Sequence, residues 1–322
     1  MRARSINGEV NEFIERVQQR DYYRDQIQFQ REIPARSPVT RSCEMEPQRA
    51  DYLTDRGIDE LYEHQTDAIE AVRDGQNAVL ATPTASGKSL AYTIPAIERA
   101  HHHDGRTLYI GPQVALINDQ ESALSEFATP FDDISVSQYT GSLASDERQQ
   151  ARDEDPDIVL TTPDMLHCGL LSHASDIWRA FFESLDLVVV DEVHEYRGVF
   201  GSHVGLVCRR LSRICDRLGT DPQFVCCSAT IGNPRKHAAT ITGQSTDSFV
   251  LVDQEASETG PTHWLFWQPP EYDESDSPVG AGQRRSHHGE TMRLFVDLVM
   301  RGYQTVVFTR ARQTAERYAT IS

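Results

Sequence analysis

From Gly57 onward the chain alternates short β-branched runs with helical segments, and this alternation constrains the fold more than any other feature. The runs are NAVLAT (77–82), TLYIG (107–111), ISVSQY (134–139), DIVLTT (157–162), LDLVVVD (185–191) and FVCCSAT (224–230). Apolar stretches of this length, separated by helices, belong to parallel strands buried on both faces. The pattern predicts an α/β doubly wound sheet over 51–246. Residues 1–50 read as an N-terminal extension laid across a domain, and the Pro-, Gly- and acid-rich stretch 247–290 as a linker with an irregular strand around 264–267. Helix (290–301), strand (QTVVFT, 304–309) and helix (311–320) then read as the opening of a second domain over 291–322. A chain of 322 residues is long enough for about two domains.

Composition limits what such a fold can bind. Asp and Glu number 49 against 31 Lys and Arg, a formal charge of −18. Nucleic acid is repelled at long range, so any contact must come from a local site. Only Lys88 and Lys236 are lysines; the other basic residues are arginine. An acidic, lysine-poor surface suits a halophilic cytoplasm, since at molar salt the Debye length falls to about 3 Å. The start lacks an apolar signal region and no run approaches the ~18 apolar residues of a membrane helix, so no membrane partner is expected. The six cysteines show no CxxC pair, which suggests reduced, mostly buried thiols and a cytoplasmic location.

Two strand ends carry chemistry. NAVLAT runs through PTASGKS into a helix, and strand, small-residue loop, Gly-Lys-Ser and helix form a phosphate cradle of backbone N–H groups. Lys88 would reach the β/γ-phosphates and the Ser89 hydroxyl would bind Mg²⁺. Thr82 stands where the strict motif has its first glycine. About a hundred residues on, LVVVDEVH sets Asp191 and Glu192 at a strand's carboxyl end, where ligands of such sheets sit. An Asp there can hold Mg²⁺, and the adjacent Glu can deprotonate the attacking water.

At these residues the sequence resembles the DExH-box helicases of superfamily 2, and among them the YprA-like/Hrq-type group. The likeness runs in family order from about residue 22 to 318: YRDQI then REIPAR, LYEHQTDAI, ATPTASGKS, TTPDMLH, DEVHEYRGVFGSHV, SAT and VVFTRAR. It implies a RecA-like P-loop NTPase domain, ATP and Mg²⁺, movement on single-stranded or partly duplex DNA, and service in DNA repair. Matched residue by residue, Gln65 would read adenine, and Thr84, Ala85, Ser86, Gly87, Lys88 and Ser89 would hold the phosphates. Asp191, Glu192 and Lys88 would be catalytic, with Ser89 and Asp191 on the metal. His194, Ser228 and Thr230 would couple hydrolysis to domain movement. Pro112, Gln120, Gly141, Thr161, Thr162, Pro163, Asp164, Arg310 and Arg312 would face the nucleic acid. Gln113, Val114, Thr140 and Thr162 depart from the family's usual residues.

Three further signals are assigned to structure. Arg209, Arg213 and Arg217 form a solvated or ion-paired helix stripe, residues 101–103 (His-His-His) end a helix, and Trp264, Phe266 and Trp267 pack a linker onto a domain. Because no later motif supplying arginine fingers follows VVFTRAR, the chain is expected to be a cut-short helicase. The rival reading is a non-catalytic nucleotide- or DNA-binding remnant that needs a partner; an unrelated P-loop ATPase fits DEVHEYRGVFGSHV poorly.

Overall fold

The computed structural model describes residues 6–131, 133–272 and 283–320. They form two compact units, Ser37–Ser257 and Met1–Arg36 with Glu258–Ser322.

The larger unit is built on seven strands: β1 (Asn77–Leu80), β2 (Arg106–Ile110), β3 (Val136–Tyr139), β4 (Ile158–Thr161), β5 (Leu185–Val190), β6 (Gln223–Cys227) and β7 (Phe249–Val252). Their order across the sheet is β7-β1-β6-β5-β2-β4-β3, and every neighbouring pair is parallel. Alternate residues of one strand enter opposite cores. Val188 and Val190 pack with Val204, Cys208 and Leu211 of the helix Gly198–Leu218. Leu187 and Val189 pack with Ile69 and Val72 of Glu63–Arg73 and with Ile94 and Ile97 of Lys88–His103. This two-sided burial is why the strands read as continuous apolar runs. Parallel strands with helical crossovers also bring all seven carboxyl ends to one edge.

This unit is wider than 51–246 on both sides. FVLV supplies β7, which pairs with β1, and Thr40–Arg41 pairs antiparallel with Leu61–Tyr62. Six free cysteines are present, four of them buried; burial pushes the thiols up, Cys208 to about 12 and Cys215 to about 11.

In the smaller unit the strand Ile27–Ile33 pairs antiparallel with Thr262–Trp267. The 1–50 segment therefore shares a ribbon with the expected linker. The patch at 264–267 divides by strand alternation. Trp267 turns inward and its indole N–H donates to Glu290 Oε2 at 3.1 Å, whereas Trp264 and Phe266 are exposed. Phe266 still meets Phe29 of the partner strand, ring centroids 5.1 Å apart, so the patch packs within the smaller unit. Helices His287–Val299 and Arg312–Ala319 form near the expected positions. Residues 304–309 form no strand, because among the described residues nothing pairs with them; Val306 and Phe308 are exposed. Residues 273–282 of the expected linker lie outside the described residues.

Candidate active site

The phosphate loop leaves β1 and enters the helix Lys88–His103, whose first-turn N–H groups have no intrahelical acceptors. Thr82 closes the base of the loop: its buried hydroxyl meets Ser86 Oγ at 2.7 Å. Gly87 has φ +77°, and a Cβ there would strike the Gln65 amide nitrogen; only glycine admits both. Ala85 also takes a left-handed conformation, φ 63°, at a cost of about 1–3 kcal/mol. The Lys88 ammonium donates to Thr82 O at 2.8 Å and Pro83 O at 2.7 Å. It thus spans the loop that it would open to phosphate.

Gln65 sits on the other side of Gly87. Its Nε2 donates to Gly87 O at 2.7 Å and its Oε1 accepts the Tyr62 N–H at 2.9 Å. A carboxamide still has one N–H and one lone pair to offer after two such bonds. A cavity of about 510 Å³ opens here, lined by Ile58, Tyr62, Gln65, Gly87 and Leu90.

Asp191 and Glu192 follow β5, which is separated from the phosphate-loop strand β1 by β6 alone. Asp191 Oδ2 accepts the Tyr109 hydroxyl at 2.5 Å and Oδ1 accepts the Glu192 N–H at 2.8 Å. Burial pushes this carboxyl up, while Tyr109, the Glu192 N–H and the Lys88 charge hold it down. Lone pairs remain on both oxygens, and a carboxylate within reach of the Lys88 charge of the phosphate loop suits Mg²⁺, which takes few protein ligands.

Glu192 has φ 49°, a strained conformation that turns its side chain beside His194. Glu192 Oε2 lies 3.1 Å from His194 Nδ1, but that nitrogen already accepts the Ala229 N–H at 3.2 Å. The buried Oε2 is left without a hydrogen-bond donor. Burial, reinforced by the Asp191 charge, pushes the Glu192 carboxyl up. His194 joins DEVH to SAT through the backbone of Ala229. The Ser228 hydroxyl turns to Ala229 O at 2.7 Å, and Thr230 is exposed.

The residues expected to face nucleic acid are dispersed. Pro112, Gly141, Thr162, Pro163 and Asp164 follow β2, β3 and β4, the half of the sheet edge beyond β5. Thr162 Oγ1 accepts the Met165 N–H at 3.3 Å as a helix cap. Gly141 and Asp164 are exposed, whereas Pro163 is buried. Gln120 Oε1 accepts the Tyr92 hydroxyl at 2.6 Å. Thr161 departs from expectation: it is fully buried and its hydroxyl donates to Tyr139 O at 2.7 Å, so the side chain reaches no strand. Arg310 and Arg312 are exposed on the smaller unit. Of the arginine stripe, Arg209 donates to Gly205 O and Thr240 O, backbone carbonyls rather than an acid.

Two positioning residues escaped the sequence reading. Tyr109, a phenol inside the apolar run of β2, holds Asp191. His64 ties the phosphate loop to the segment after β7: Nε2–H donates to Ser86 O at 2.9 Å and Nδ1 accepts the Ala256 N–H at 3.2 Å. Burial pushes its pKa below the ordinary histidine value. The unfolded chain takes up that proton near pH 6.5, so stability should be full above this value and fall as pH drops through it. Thermal unfolding between pH 8 and 5 should lose more stability in the parent than in His64→Gln. Parallel pH profiles in the two would exclude His64 as the source.

Comparison with known proteins bears on this geometry. A DEAD/DEAH box helicase family model matches residues 62–237. The chain is 42% identical over 266 residues to the uncharacterized ATP-dependent helicase YprA of Bacillus subtilis, covering 82% of this chain and 34% of YprA. It is 32% identical over 321 residues to the ATP-dependent helicase HRQ1 of Saccharomyces cerevisiae, covering 97% of this chain and 29% of HRQ1. The DUF1998 helicase MrfA bound to DNA and AMPPNP matches in structure with a TM-score of 0.86 at 38% identity, covering 96% of this chain and 42% of MrfA. The chain thus spans about a third of the length of these curated relatives.

Proposed function

This chain belongs to the DEAD/DEAH box helicase family, and we propose on that premise that it is the ATP-binding part of an ATP-dependent DNA helicase or translocase. The carrying observation is the convergence on three neighbouring strands, β1, β6 and β5, of the phosphate loop, the SAT segment and the Asp191–Glu192 pair. The loop N–H groups and Lys88 would hold the phosphates, with Lys88 exchanging its two loop carbonyls for phosphate oxygens. The free N–H and lone pair of Gln65 would read the adenine edge. Ser89 and Asp191 would hold Mg²⁺, which supplies charge neutralisation at the phosphates. Glu192 would take the proton of the attacking water on Oε2, the atom with no donor of its own. The His194–Ala229 bond would carry the change at β5 to the end of β6.

The strand ends after β2, β3 and β4 would hold a nucleic-acid backbone through Thr162, Asp164, Gly141 and the Pro112 turn, with Thr161 contributing main chain only. Backbone contacts of this kind position a strand without reading its bases. Arg310 and Arg312 are available for phosphates on the smaller unit. DNA is favoured over RNA by the DNA-bound relative MrfA. DNA repair, the setting implied by the family resemblance, is part of the same proposal. The −18 charge and the two lysines support a cytoplasm of molar salt; among the described residues, no helix is long and apolar enough to cross a membrane.

The test is Mg-ATP binding and hydrolysis at molar salt, with and without single-stranded DNA. Saturable binding of Mg-ATP and of single-stranded DNA is expected, with hydrolysis by this chain alone slow. A chain that binds neither ATP nor DNA would refute the proposal.

A further inference from the structure

We propose that Glu46, His101 and His102 form a binding site for a divalent transition-metal ion, with Zn²⁺ the best match to the donor set. The helix Lys88–His103 ends at Asp104, whose left-handed φ of 52° stops it just beyond the two imidazoles. Glu46, at the N-cap of the helix Pro47–Asp55, meets them from a segment distant in sequence. One ligand atom from each of the three lies within 4.8 Å of the others, and His102 Nε2 is 2.6 Å from Glu46 Oε1.

Two imidazoles, one carboxylate and an open position form a common zinc donor set, and bonds of about 2.0–2.1 Å would place tetrahedral donors ~3.4 Å apart. Modest side-chain rotation reaches that spacing from the one observed. The surroundings favour it. His101 Nδ1 lies 3.4 Å from Asp133 Oδ1, which leaves Nε2 for the metal in the carboxylate–histidine arrangement that orients metal-bound imidazoles. Phe131 packs on the His101 ring at 4.9 Å. Glu46 Oε2 faces Arg49 at 3.4 Å, so Oε1 would bind the ion as a single donor. The simpler account, an ordinary His102–Glu46 pair, predicts no role for His101.

The experiment is calorimetric titration of Zn²⁺ into the chelator-stripped, reduced chain with Mg²⁺ in excess, beside Glu46→Gln, His101→Ala, His102→Ala and the control His173→Ala. One saturable site is expected in the parent and the control. Each ligand variant should bind more than about tenfold more weakly while unfolding like the parent without zinc, and Asp133→Asn should lose about tenfold. Absence of saturable binding, or affinity unchanged in the three variants, overturns the proposal. So do thiolate charge-transfer bands on Co²⁺ substitution, which would assign the ion to cysteine.

Discussion

Glu192→Gln should slow ATP hydrolysis about 10²–10⁴-fold while Mg-ATP binding stays within a few-fold of the parent. The substitution exchanges one carboxylate oxygen for an N–H₂ group and leaves shape and length unchanged. In the parent, Glu192 Oε2 is buried and has no donor, and its neighbour His194 Nδ1 is occupied by the Ala229 N–H. A proton from water would find that oxygen unsatisfied, and burial together with Asp191 makes the carboxyl a stronger acceptor than in solvent. The strained backbone at φ 49° makes sense if it sets this side chain apart from Asp191. Single-turnover hydrolysis decides the matter. A rate within threefold of the parent would remove Glu192 from the role of base, and loss of ATP affinity would reassign it to holding the nucleotide.

How far the fold was legible follows from where each signal resides. Strands buried on both faces announce themselves as apolar runs, so β1 to β6 are found with their ends within three residues. FVLV has the same composition, but it abuts a polar stretch that reads as linker; only its pairing with β1 identifies it as a strand of the sheet. QTVVFT has the opposite history, since its β-branched residues suggest a strand that the described residues do not pair. The site divides in the same way. Lys88, Asp191 and Glu192 are legible because a contiguous motif carries their chemistry. Tyr109 meets Asp191 across 82 residues of sequence and His64 meets Ala256 across 192, separations at which no local pattern exists. The Thr82–Ser86 bond was equally hidden, although it shows how threonine can stand where the motif has glycine: it fastens the loop with a hydroxyl pair.

Lys88→Ala should weaken Mg-ATP binding about 10- to 150-fold, the equivalent of ~1.5–3 kcal/mol for hydrogen bonds to a charged group. Lys88 donates to the carbonyls of Thr82 and Pro83, so its ammonium closes the loop upon itself. Binding ATP exchanges two neutral acceptors for phosphate oxygens, and charge-assisted bonds of that kind are about twice as strong as neutral ones. Alanine forfeits the exchange and deprives Asp191 of a cation that holds its carboxyl down. The fold should survive, because the loop keeps the Thr82–Ser86 hydroxyl pair, the His64 bond to Ser86 O and the Gln65 bond to Gly87 O. Calorimetric titration at high salt, beside thermal unfolding of both proteins, separates the outcomes. Lost affinity with an unchanged unfolding midpoint supports the phosphate role. Equal affinity in the two proteins would show that Lys88 is a structural clasp, held by Thr82 O and Pro83 O, and the nucleotide would then have to be sought elsewhere.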